Sequence, residues 1–225
     1  MKKYELTAEF IEQWGKKLFR IKALISFGSV EAGELGGYVE KEDNLAQDGD
    51  AWVYGDAKVC GDAWVCDDAW VYGDAKVCGD AWVYGNAEVY GDARVCGNAR
   101  VYGNAEVYGN ARVCGNAKVY GNARVYGDAR VCGNARVCGN ADYLLIGRIG
   151  SRFSFTTFFK NKDKGITVSC GCFLGTIAEF RAKVTDTHGN NKHAKMYNLA
   201  ADMAELQILG EEHFDKLNTN KSEPF

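Results

Sequence analysis

Six letters return fifteen times in this chain. From Ala51-Trp52-Val53-Tyr54-Gly55-Asp56 to Ala135-Arg136-Val137-Cys138-Gly139-Asn140, ninety residues run as consecutive hexads A-x-V-y-G-(D/N) without one insertion. Only x and y vary widely, and the Gly column breaks once, at Asp67. Side chains alternate across a strand, so Ala and Val point to one side and x and y to the other. The Gly-Asp or Gly-Asn pair is turn chemistry, because these residues tolerate positive φ. A single hexad cannot bury its Ala/Val side. Coils must stack, at roughly 4.8 Å per layer, as neighbouring strands do.

The varying letters set the size of a coil. Read in steps of 18 residues, y gives Tyr54, Tyr72, Tyr90, Tyr108, Tyr126, then Cys60, Cys78, Cys96, Cys114, Cys132, then Cys66, Tyr84, Tyr102, Tyr120, Cys138. Two uniform columns of three imply three hexads per coil and a triangular cross-section. Five such coils make a prism of about 24 Å.

The same step applied to x separates three faces. The Cys face carries Lys58, Lys76, Arg94, Arg112 and Arg130, all basic. The Tyr face carries Trp52, Trp70, Glu88, Glu106 and Arg124; the third carries Trp64, Trp82, Arg100, Lys118 and Arg136. Like charges stacked at this spacing repel by on the order of 1 kcal/mol per neighbouring pair in water. The basic ladder is therefore either a tolerated product of duplication, splayed into solvent, or an anion-binding strip. Its partner would be an acidic protein surface or, less suitably for a straight ladder, nucleic acid phosphate. The aromatics Trp52, Tyr54, Trp70, Tyr72, Tyr90, Tyr108 and Tyr126 are expected to project from one face, and Trp64 and Trp82 from another. They mark an interface, a homo-oligomer included, or they lie under the N-terminal segment. Charge also changes sign along the prism: Asp48–Asp92 holds ten acidic and two basic residues, Ala93–Asp142 three acidic and seven basic.

The ends are less regular. Residues 1–34 are expected to form a β-hairpin and lead-in, with one strand near Phe10–Trp14, a turn at Gly15-Lys16 and a second strand over Leu18–Leu24. Residues 35–142 form the solenoid, beginning with an irregular coil over 35–50. Residues 143–210 form an α+β module. In it Tyr143–Ile149, Arg152–Lys160 and Ile166–Cys172 read as strands. Thr176-Ile177-Ala178-Glu179 is a capping box that opens a helix closing at Gly189. A second helix runs from Lys192 to Leu209, with Met196, Leu199, Met203 and Leu206 expected inward. Residues 211–225 read as a polar tail. If a ligand pocket exists, this module is the first place to look.

A triangular coil of three hexads resembles the parallel β-helix of hexapeptide-repeat proteins, and that resemblance implies left-handed coils; the general crossover rule would give the other hand. The flank LFRIKALISFGSVEAGELGGYVEKEDNL (residues 18–45) and the segment IGSRFSFTTFFKNKDKGITVSCGCFLGTIAEF (residues 149–180) are similar to YdcK-like proteins of phages and prophages. The fold class expected is thus mainly β: a triangular left-handed parallel β-helix with an N-terminal hairpin and a C-terminal α+β cap. The resemblance implies a counter-defence role, in which a rigid surface occupies a host protein such as a nuclease complex.

Hexapeptide acyltransferases suggest an alternative, but acyl transfer needs a general base. Residues 43–142 contain no His; His188, His193 and His213 all follow the repeat. Cys170-Gly-Cys172 has no second ligand pair nearby, so no metal site is expected. Seven of the nine cysteines share position y and point the same way, which fits free thiols in a reducing cytoplasm. No apolar run is long enough to span a membrane, and no secretory signal is read after MKKYELTAEF. The sequence reading is a cytoplasmic, non-enzymatic binding protein without cofactor, whose partner is a host protein or a second copy.

Overall fold

The structure is a computed structural model that describes residues 1–212; most of the polar tail expected at 211–225 lies outside the described residues. The chain enters through β1 (Tyr4–Gln13), β2 (Lys16–Ala23) and β3 (Leu35–Val39). Fifteen two-residue strands follow, one per hexad, from β4 (Trp52–Val53) to β18 (Arg136–Val137). They sort into three parallel sheets, each strand pairing with strands 18 residues away. The period read from x and y is therefore the structural period. Arg94 stands opposite Lys76 on one side and Arg112 on the other, in register. With β3 as the first rung, the basic face has six rungs: β3, β5, β8, β11, β14 and β17.

Every Ala and Val of the fifteen hexads is buried, at 1% exposure or less. Each buried Val contributes roughly 1.5–3 kcal/mol, and no single residue holds the prism. At the corners, φ is positive at every hexad Gly before Gly139, where the coils end, and not at the residue after it, the pattern of a type II′ turn. A second constraint comes from stacking: a Cβ on Gly79 would lie 3.0 Å from the Gly97 nitrogen of the next coil. Asp67, the sole exception, adopts φ 60° itself, and its carboxylate accepts a hydrogen bond from Gly85 N–H at 3.0 Å.

The hairpin closes the open end of one sheet. β1 and β2 pair antiparallel across the two-residue turn Trp14-Gly15, with φ 54° and 71°. β2 then pairs antiparallel with β3, and β3 pairs parallel with Lys58–Val59. The first strand is longer than the sequence suggests and starts at Tyr4, because Tyr4 turns inward against Trp52.

After the last coil come β19 (Tyr143–Ile149), β20 (Ser154–Lys160), β21 (Ile166–Cys170) and β22 (Phe173–Thr176), an antiparallel sheet in chain order. The fourth strand is a feature that sequence reading missed, being only four residues that follow Gly171 and include Gly175. Two helices follow, α1 (Ile177–His188) and α2 (Lys192–Leu209). Thr176 caps α1 through a capping box with Glu179, and Gly189 ends it. The sheet has two jobs. Phe159 and Tyr143 join the solenoid core, whereas Phe158 and Val168 face the helices.

The expected inward stripe of α2 is wrong. Met196, Leu199, Met203 and Leu206 are exposed, at 40, 64, 57 and 46%. The helix instead buries Ala194, Tyr197, Ala200, Ala201, Ala204 and Ile208. Small side chains allow α2 to lie close to the sheet and α1. Arg181 of α1 reinforces that choice with 2.7 Å ion pairs to Asp202 and Glu205.

Candidate functional site

The three faces of the prism differ in how far their outward side chains satisfy one another. On the Tyr face, Tyr72, Tyr90, Tyr108 and Tyr126 form a continuous stack, with ring centroids 4.8, 4.9 and 5.4 Å apart. The rung spacing dictates that separation. Tyr72 donates to Glu88 at 2.7 Å and Tyr90 to Glu106 at 3.1 Å. Burial and the Glu106 carboxylate push the Tyr90 phenol up to about 12. Glu106 also pairs with Arg124 at 3.0 Å. Tyr54 and Tyr126 are exposed at the two ends and Trp70 is half-buried.

Trp52 does not project as expected. It is fully buried, with Tyr4 packed edge-on at 6.2 Å and Phe27 at 5.3 Å. The N-terminal segment covers the top of this face, so the first aromatic of the column belongs to the cap. Lys3 is buried beside it and donates to the carbonyls of Asp48, Gly49 and Ala51 at 3.0–3.2 Å. Desolvation pulls its ammonium down to about 8.

On the third face, Trp64 and Trp82 meet edge-on at 5.2 Å and both are exposed. Arg100 lies over Trp82, 5.0 Å from the ring centroid. Below them Tyr84, Tyr102 and Tyr120 stack at 4.8 and 5.1 Å.

The basic face carries the longest column of like charge; the lower third face, with Arg100, Lys118 and Arg136 in register, likewise makes no ion pair among the described residues. Lys58, Lys76, Arg94, Arg112 and Arg130 stand in one register column. None of the five takes part in an ion pair among the described residues. The first two are half-buried beneath the cap: Lys58 donates to its own corner at Asp56 O (2.7 Å), and Lys76 lies 5.7 Å from the Trp14 ring. Arg94, Arg112 and Arg130 are exposed. Beside them runs the thiol row Cys60, Cys78, Cys96, Cys114, Cys132, all free. Thiol hydrogen bonds from Cys114 and Cys78, then the charges of Arg112 and Arg94, pull the Cys96 thiol down; thiol contacts and burial push Cys78 and Cys114 up. The floor is closed at one end by the hairpin. At the other, Arg130 N–H donates to Thr157 Oγ1 of the C-terminal sheet at 3.0 Å.

Other candidate groups do not converge. Among the described residues, no cluster of three or more His, Cys, Asp or Glu side chains is placed to hold a metal ion. Cys170 accepts a hydrogen bond from Thr156 at 3.2 Å, and Cys172 is exposed on the turn that follows. His188 and His193 sit together in the α1–α2 turn, rings 5.8 Å apart, with His188 stacked on Tyr197. His213 lies outside the described residues. No helix among the described residues is long and apolar enough to cross a membrane.

This architecture is that of a β-solenoid repeat protein. Part of its repeat is similar to a known family: the family model described as YdcK Beta solenoid repeat matches residues 93–109 and 117–133. No curated protein matches the chain.

Proposed function

We propose that this chain is a non-enzymatic binding protein that presents the basic face of its prism to an acidic protein surface. The observation that carries the reading is the unpaired column. On the Tyr face Glu106 pairs with Arg124 and Glu88 accepts from Tyr72, whereas Arg94, Arg112 and Arg130 accumulate charge at rung spacing with no ion pair among the described residues. Such a row repels itself, and an anionic partner relieves that cost on binding. The strand frame fixes the backbone spacing of the row, so binding orders only the exposed arginine side chains and not the chain that carries them. The uninterrupted coils support the non-enzymatic reading: they contain no His, and no loop leaves them to build an acceptor site. In its finer form the partner is a host defence protein such as a nuclease complex, a step that rests on resemblance to phage proteins alone.

The test is capture from host-cell lysate on the immobilised protein beside the Arg94→Glu/Arg112→Glu/Arg130→Glu variant. A stoichiometric protein retained by the wild type and lost by the variant, with melting temperature unchanged, is the expected result. Equal retention by both, or none by either, overturns it. Nucleic acid is the competing partner. It would show as binding to a labelled duplex that weakens steeply between 50 and 200 mM salt, roughly 10³-fold or more for six or more phosphate contacts.

A further inference from the structure

The basic face ends in a cleft that the ladder alone does not explain. Its volume is about 390 Å³, within the range of small-ligand sites. One wall is the last two rungs, Arg112 and Arg130; the other is the C-terminal sheet. Alternation along β20 puts Phe155 and Thr157 on the side facing the prism, and Ser169 of β21 pairs directly with Thr157. Phe155, Thr157 and Ser169 all line the cleft. Ser169 is 7% exposed, and among the described residues its hydroxyl bonds to no other protein group. Asp128, at the corner that leads into the Arg130 rung, adds a carboxylate to the rim.

These groups are of three kinds, arranged around one space. Two arginines on adjacent rungs, their backbones about 4.8 Å apart, offer forked guanidinium groups suited to the oxygens of a phosphate group, with hydroxyl donors completing the shell. A carboxylate at the rim accepts from ligand hydroxyls and would repel a second anionic group. Phe155 supplies an apolar wall. We infer that the cleft between Arg112, Arg130 and the C-terminal sheet binds a small hydroxylated phosphate ester, of the sugar-phosphate or nucleoside-monophosphate class. Its phosphate lies on the two arginines and Ser169, and its hydroxyls on Asp128. This site shares Arg112 and Arg130 with the proposed partner surface but stands or falls separately from it, since it needs only the end of the ladder.

The test is calorimetric titration of the full chain with ribose 5-phosphate, adenosine monophosphate, inorganic phosphate and ribose. The variants are Arg130→Gln, Ser169→Ala and, as control, Arg94→Gln, which alters the same ladder outside the cleft. The expected result is saturable 1:1 binding of a phosphate ester with Kd near or below about 1 mM. Ribose does not bind, and inorganic phosphate binds at least tenfold more weakly than the ester. Arg130→Gln and Ser169→Ala each lose tenfold or more, and Arg94→Gln loses less than twofold. Adenosine monophosphate tighter than ribose 5-phosphate assigns Phe155 to a base; the reverse assigns the ligand to sugar phosphates, and either supports the site. No saturable binding by the wild type overturns the inference. So does an Arg94→Gln loss equal to that of Arg130→Gln, which would mean diffuse ladder electrostatics. Thermal melts accompany each variant. Should Ser169→Ala fail to fold, Arg130→Gln, whose side chain is exposed, decides alone.

Discussion

Lys3 shows how one residue can tie an end of the fold to pH. Its ammonium sits among three carbonyls at the top of the prism, 4.9 Å from the Phe27 ring, with burial lowering its affinity for a proton. The folded value of about 8 lies below the ordinary 10.5. Between the two, the unfolded chain binds a proton that the folded chain does not, so this group adds stability as pH rises through the window. In urea melts, the stability difference between wild type and Lys3→Met is expected to shift in favour of the wild type from pH 8 to 10.5, by about 2 kcal/mol. Tyrosine ionisation affects both proteins alike and cancels in the difference. A flat difference would mean that the ammonium stays charged among its carbonyls. Trp52 stands next to this site and makes a related point. Its position in a repeat column says that it points outward, but only the fold of residues 3–36 shows that outward is covered.

Among the elements, α2 departs most from its sequence reading. Its apolar residues form two stripes, one large and one small, and the sheet takes the small one. Ala200, Ala201 and Ala204 permit close approach, and Glu205 is buried only because Arg181 reaches it from α1. Leu199→Gln and Met203→Gln should therefore change stability by less than about 0.5 kcal/mol each. Ala201→Leu should destabilise by about 1–3 kcal/mol through overpacking. Chemical denaturation of the three variants checks both statements. A large loss from Leu199→Gln would show that the exposed stripe is covered in solution. At the other end of the chain, the two-residue turn Trp14-Gly15 fits the hairpin, because both central residues take positive φ.

The whole molecule behaves as a stack whose unit is 18 residues. Each coil meets its neighbours through identical ladders, so stability is close to a sum over coils and interfaces. Removing residues 93–110, one full coil, should leave the cap and the C-terminal module correctly phased. The variant is expected to stay folded, with a β-rich circular dichroism spectrum and a cooperative melt. Removing residues 93–104 takes out two of three hexads. That variant brings the wrong face under the C-terminal sheet, breaks the Arg130–Thr157 contact and should melt at a clearly lower temperature. Equal melts would refute the 18-residue unit. Corner residues also read better at this scale. The shift from Asp to Asn down the prism places Asn86, Asn104 and Asn122 in an amide ladder at 3.2 and 3.1 Å, where stacked carboxylates would repel.

The hexad by itself determined the inner column, the triangular section, the register and the composition of each face. These follow from alternation along a strand and from a period that recurs without interruption. The capping box at Thr176 and the bounds of both helices were equally legible, because they depend on neighbours three or four residues away. Only the tertiary structure decided which outward residues are free. It put Trp52 under Tyr4 and Phe27, turned the large stripe of α2 to the surface, and paired Glu106 with Arg124 while leaving Arg94, Arg112 and Arg130 without an ion pair among the described residues. It also brought Ser169 and Phe155 against Arg112 and Arg130. Those outcomes depend on contacts between segments far apart in the chain, and a local pattern carries no information about what will be laid across it.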